Sequence, residues 1–145
     1  MGIKTFLTKE QQLAIVQAIT DAERTTSGEI RVHLENSCNG DVLDCAVHVF
    51  KKLKMHKTAL RNGVLIYLAV NNKKFAILGD AGINSKVPEG FWDQVKEVMA
   101  AEFAKGDFAT GLTQGIRMAG EKLRAYFPVT ANDKNELSNE ISFGS

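Results

Sequence analysis

Val64-Leu65-Ile66-Tyr67-Leu68-Ala69-Val70 is apolar at every position, and it lies between Gly63 and the pair Asn71-Asn72. A short apolar run bounded by turn residues reads as a strand. A strand with no alternation is buried on both faces, so the sheet that holds it must be covered on both sides. Phe75-Ala76-Ile77-Leu78 repeats the pattern after Lys73-Lys74. Asn tolerates positive φ, so the two runs read as a tight hairpin.

The covering layers are legible on either side of that hairpin. Thr8-Lys9-Glu10-Gln11 is a capping-box pattern, with Leu7 placed as a hydrophobic staple. The helix it opens carries Ile15, Ile19 and Ala22 at helical spacing, with Leu13 and Val16 beside them. Glu29 to Glu35 alternates strictly: Ile30, Val32 and Leu34 face one way, and Glu29, Arg31, His33 and Glu35 the other. Asp41 is placed to cap a second helix whose stripe is Val42, Ala46, Val49, Phe50 and Leu53. Lys51, Lys52, Lys54 and Lys57 complement the dipole at its C-terminal end. Pro88 and Glu89 open a third helix with Trp92, Val95, Met99 and Phe103 as its stripe. A fourth runs from Asp107 through Phe108, Leu112, Ile116, Ala119 and Leu123 until Pro128. Gly111 and Gly115 on it imply close packing against a neighbour, because glycine costs about 1 kcal/mol in a helix interior. The order α-β-α-β-β-α-α with doubly buried strands implies an α/β/α sandwich with a small mixed sheet. One domain over residues 5–127 is expected, followed by a disordered polar tail over 128–145.

Composition narrows the functional classes. The chain has 145 residues, 18 basic and 17 acidic side chains and a net charge of +1. Such balance gives no electrostatic reason to expect nucleic acid or an anionic membrane as partner. The longest apolar run is far too short to span a bilayer, so no membrane insertion is expected. No signal-peptide pattern follows Met1. Cys38 and Cys45 match no zinc spacing and are too few for a disulfide framework, so they are expected to be free. Free thiols and the missing leader together imply a cytoplasmic protein.

Topology suggests where a site could form. Strands one and two are joined through a helix and are expected to run parallel, with strand three antiparallel to strand two. Glu29, Arg61-Asn62-Gly63 and Asp80 then share one end of the sheet, and the break at Gly106-Asp107 could bring Asp107 near. Carboxylates and an amide oxygen are hard ligands that suit calcium or magnesium. Arg61 could pair with one of the acids or hold an anionic group bidentately. No Gly-x-Ser-x-Gly, Walker or dinucleotide-binding pattern is present, and His33, His48 and His56 show no catalytic spacing to an acid or thiol. The lack of an evident nucleophile–base pair argues against covalent catalysis.

Four segments resemble the TPM domain family. They are Thr26-Ser27-Gly28-Glu29-Ile30-Arg31-Val32, Arg61-Asn62-Gly63-Val64-Leu65-Ile66-Tyr67, Phe75-Ala76-Ile77-Leu78-Gly79-Asp80-Ala81-Gly82-Ile83, and Phe103-Ala104-Lys105-Gly106-Asp107-Phe108-Ala109-Thr110-Gly111-Leu112. The resemblance implies an α/β/α sandwich and a divalent-cation site, for calcium in particular, near the sheet end just described. Family members include thylakoid proteins linked to photosystem repair, where weak acid phosphatase activity has been claimed. Many bacterial relatives carry anchors and signal peptides, so this chain resembles a stand-alone cytoplasmic bacterial type. The combined expectation is a calcium-binding module with Glu29, Asn62, Asp80 and Asp107 as metal ligands, acting through a protein partner. The alternatives are a weak metal-assisted acid phosphatase on phosphate monoesters, with Arg61 as anion contact, and a pure interaction protein using the polar face of strand one or the C-terminal tail.

Overall fold

Thr8 opens the first helix as its capping box requires. Its hydroxyl accepts from Gln11 N at 3.0 Å, and the Gln11 side chain accepts from Thr8 N at 2.9 Å. The computed structural model describes residues 3–129 and 137–144. After a short 3-10 turn at Ile3–Thr5, the elements are α1 (Lys9–Glu23), β1 (Glu29–Glu35), α2 (Val42–Lys52), β2 (Gly63–Ala69), β3 (Lys74–Gly79), the one-turn α3 (Ala81–Asn84), α4 (Phe91–Ala104), α5 (Phe108–Tyr126) and β4 (Ser142–Phe143). The sheet order is β3-β2-β1-β4. β1 lies parallel to β2, and β2 antiparallel to β3, as the connections imply.

The β1–β2 register pairs Ile30, Val32 and Leu34 with Val64, Ile66 and Leu68. With Ile77 these form one apolar face, which packs under Ile15 and Ile19 of α1, Val95 and Met99 of α4, and Leu112, Ile116 and Leu123 of α5. The opposite face offers Leu65, Tyr67, Ala69 and Ala76 to Ala46, Val49 and Phe50 of α2, and to Met55. The expected three layers therefore form, with three long helices on one side and one on the other. Gly111 and Gly115 lie against α4: a Cβ on either would overlap the Phe103 ring or the Met99 thioether. Close approach of α4 and α5 is the compensation that glycine in a helix interior requires.

The structure departs from the sequence expectations in several places. α4 starts at Phe91 rather than Pro88, because Gly90 takes a left-handed conformation (φ 80°) and breaks the chain direction there. In the β2–β3 hairpin the positive φ falls on Lys73, not on an asparagine. Leu13 is 69% exposed, off the buried stripe of α1. Cys38 and Cys45 form a disulfide, where free thiols were expected. Counting cysteines ignores local geometry. The β1–α2 loop turns at Gly40 and returns the chain so that the two Cα atoms are 6.3 Å apart, within bridging distance. The inference from free thiols to a reducing compartment loses its premise with that bond. Among the described residues no helix is long and apolar enough to cross a membrane.

A disordered polar tail was expected over residues 128–145. Its 130–136 part lies outside the described residues. The segment 137–144 instead runs along β1 as a strap, with Ser142–Phe143 pairing parallel to His33–Leu34. Ile141 is buried, and Phe143 packs on the main core. Two apolar anchors and an open strand edge suffice to order a short polar stretch, since the edge satisfies its backbone groups.

Candidate functional site

The chain around Asn62 ties the end of the sheet together. Asn62 O accepts from Glu29 N at 3.3 Å, Gly63 O from Asp80 N at 2.9 Å, and Arg61 O from Gly82 N at 2.7 Å. Gly82 is required here: a Cβ would overlap the carbonyl oxygens of Leu60 and Arg61. Ser27 N donates to Phe127 O at 2.8 Å, and the Thr26 hydroxyl bonds the Leu123 and Phe127 carbonyls, so the C-terminus of α5 is pinned to this same end. Glu29, Asn62 and Asp80 thus share one rim, as topology alone suggested.

Asp107 does not. It caps the N-terminus of α5, accepting from Thr110 N at 3.0 Å and from the Thr110 hydroxyl at 2.8 Å. These bonds hold its pKa below the ordinary carboxylate value. The 19-residue helix separates it from the rim, a length of about 28 Å at 1.5 Å per residue. A helix break fixes where a turn falls but not which end of the sheet the turn approaches.

The rim side chains are differently engaged. Asp80 caps α3 through Ala81 N at 2.8 Å and accepts from Arg61 Nε and Nη2, both at 2.7 Å, a bidentate pair. Those hydrogen bonds and the carboxylate charge raise the Arg61 pKa above its ordinary value. The Arg61 side chain is 51% exposed, while Asp80 is buried. Arg61, the candidate anion contact, is therefore committed to an acid. Asn62 is 1% exposed, and its Nδ2 donates to Ser27 Oγ at 3.4 Å. Its Oδ1 is buried with no hydrogen-bond partner among the described residues. A buried amide oxygen without a donor costs about 1–3 kcal/mol and calls for a reason. Glu29 is buried, and one of its oxygens accepts from Leu137 N of the strap at 3.0 Å.

A second polar constellation lies further along β1. His33 Nδ1 meets Ser142 Oγ at 2.9 Å and its Nε2 meets Glu35 Oε1 at 3.0 Å, with the ring stacked on Tyr67 at 5.6 Å between centroids. Burial lowers the His33 pKa; its hydrogen bond and charge interaction with Glu35 oppose that, while Lys52 and Arg31 add to it. The neighbouring cleft is lined by Glu35, Tyr67 and His48.

A TPM domain model matches residues 4–122. This chain belongs to the TPM domain family. Among solved structures, the BA42 protein of the psychrophilic bacterium Bizionia argentinensis is similar at 52% identity, with a TM-score of 0.89 and 96% of each chain covered. The N-terminal domain of a protein from P. gingivalis is 18% identical (TM-score 0.68, covering 84% of this chain and 79% of that one). The N-terminal domain of cg2496 from Corynebacterium glutamicum is 15% identical (TM-score 0.64, 81% and 74%). The last two show the fold alone. No curated protein matches.

In this TPM domain the rim donors suit a hard cation in kind, and the orphaned Asn62 oxygen is the donor such an ion would use. Their arrangement is less simple. Among the described residues no three Asp, Glu, His or Cys side chains are gathered to hold a metal. Gly63 separates Glu29 from Asp80 in the register, so those two backbones stand two strand spacings apart, about 10 Å. Asp80 is free for an ion only once Arg61 lets go. Sequence reasoning missed Ser27 as the Asn62 partner and Ser142 as the His33 partner. It also missed Glu23, whose carboxylate accepts from Ile30 N at 2.8 Å at the same sheet end. Only the α1–β1 connection, which is short, offered any signal for Glu23.

Proposed function

We propose that this TPM domain is a calcium-binding module that acts through a protein partner. The cation would be held at the rim by Asn62 and Asp80, with Glu29 on the far side of Gly63. The supporting observation is the buried Asn62 Oδ1, an acceptor with no donor among the described residues, on the rim where Asp80 and Glu29 also lie. Calcium takes six to eight oxygens in a tolerant geometry, including amide and backbone carbonyls, whereas magnesium demands a tight octahedron. Arg61 is then a competitor: its guanidinium holds the Asp80 oxygens and must swing into solvent, which its exposure allows. Asp107 has no part in the site.

The test is a calcium titration followed by amide resonances, with magnesium as control. Shifts are expected at residues 27–30, 60–63 and 79–82 and not at Asp107, with a rise in melting temperature by mass action. Arg61→Ala should tighten calcium binding several-fold, because the competing cation is gone. A spectrum unmoved around Asn62 at millimolar calcium would remove the reading. Phosphate monoester hydrolysis that disappears in Asp80→Ala would favour the phosphatase alternative.

A further inference from the structure

The polar column of β1 is answered residue by residue by the strap. Glu29 accepts from Leu137 N. Arg31 interacts electrostatically with Glu140. His33 meets Ser142 Oγ. Gly144 N donates to Leu34 O at 2.8 Å, and a Cβ on Gly144 would overlap the Glu35 carboxylate. On the other side Ile141 and Phe143 turn toward α1, and Asn139 Nδ2 donates to Thr20 Oγ1 at 3.3 Å. The strap therefore reads as a strand ligand of defined chemistry: acidic, apolar, hydroxyl, aromatic, glycine.

The fit is incomplete in three respects. Among the described residues, β4 pairs with two of the seven β1 residues. Arg31 Nε is buried with no hydrogen-bond partner among the described residues. A cleft of about 230 Å³ remains between α1 and the strap, lined by Lys9, Leu13, Val16, Ile141 and Phe143. A longer strand with an acid that reaches Arg31 and a larger apolar side chain in place of Ile141 would satisfy all three.

We propose that the outer edge of β1 is a docking site for an extended peptide of a partner protein, with the pattern acidic–large apolar–hydroxyl–aromatic–glycine, and that residues 137–144 are its resident occupant. Docking is by strand addition: backbone pairing supplies affinity, and alternate side chains supply the choice of partner. The tethered strap competes at an effective concentration in the millimolar range, so partner binding is restrained until the strap is outcompeted. The inference gives chemistry to the protein-partner half of the proposed function, rests on that half alone and needs no cation.

The experiment uses the full chain with a metal chelator present, so its failure is separate from failure of the calcium reading. The probes are the synthetic peptide Leu-Ser-Asn-Glu-Ile-Ser-Phe-Gly, the same peptide with Phe in place of Ile, and a control with Lys in place of Glu. Amide shifts at residues 29–35 are expected, with loss of the strap's own shifts, and the Phe peptide should bind better than the parent. Ile141→Asp in the full chain should loosen the strap and tighten peptide binding at least about tenfold. If Ile141→Asp fails to fold, Ser142→Ala serves, with a smaller gain. A folded variant whose β1 resonances ignore all peptides, or respond equally to the Lys control, overturns the proposal. A concentration-dependent dimer that exchanges straps would overturn the partner assignment in favour of a second copy.

Discussion

β1 and β2 lie side by side over seven residues in parallel register, and both are largely buried. They reach that state differently. β2 is apolar on both faces and needs only hydrophobic cover, which α2 supplies on one side and α4 and α5 on the other. β1 is apolar on one face and carries Glu29, Arg31, His33 and Glu35 on the other. Of these, Glu29 and His33 are buried, and a segment more than a hundred residues away brings each a matched partner. Burial of apolar surface is non-directional and tolerant of what covers it. Burial of polar groups demands particular atoms at particular distances.

Four variants and conditions test that contrast, beginning with the largest effect. Ile66→Ala removes a fully buried β2 side chain and should destabilise the domain by about 2–5 kcal/mol, the range for large-to-small core changes; urea unfolding measures it. His33→Ala leaves the Ser142 hydroxyl and Glu35 without their ring partner and should cost about 1–3 kcal/mol. A loss as large as that of Ile66→Ala would mean the polar column matters as much as the apolar core. The pH dependence sharpens the same point. Burial depresses the His33 pKa in the folded state below its unfolded value near 6.5, so the unfolded chain binds the extra proton first. The His33 contribution is therefore complete above about pH 6.5 and is lost as pH falls below it toward the folded-state value. His33→Asn should flatten that part of the stability profile relative to the parent chain. Ser142→Ala removes one hydroxyl contact of the strap and should cost about 0.5–1.5 kcal/mol, with faster amide exchange at residues 142–144 and none at β2.

Much of the fold was legible for the reasons that make β2 simple. The Thr8 cap, the alternation from Glu29 to Glu35 and the α5 stripe from Phe108 to Leu123 each express one local periodicity, and each element formed where its pattern lies. The common rim of Glu29, Asn62 and Asp80 followed from connectivity. The Arg61–Asp80 pairing was one of two open roles for Arg61, and only coordinates chose between them. Asp107 went astray because a helix axis can carry its N-terminus to either end of a sheet. The strap was unreadable because Ile141 and Phe143 are too few to show a period, and their value depends on an edge formed elsewhere.

The sequence by itself determined the layers, the strand directions and which strand termini share an end of the sheet, because hydrophobic patterning and chain connectivity are properties of neighbours along the chain. The tertiary structure decided which polar atoms meet: Cys38 with Cys45, Asp80 with Arg61, His33 with Ser142 and Glu35. A hydrogen bond or disulfide needs atoms within a few tenths of an ångström of a set distance. Only the packed chain specifies positions to that tolerance.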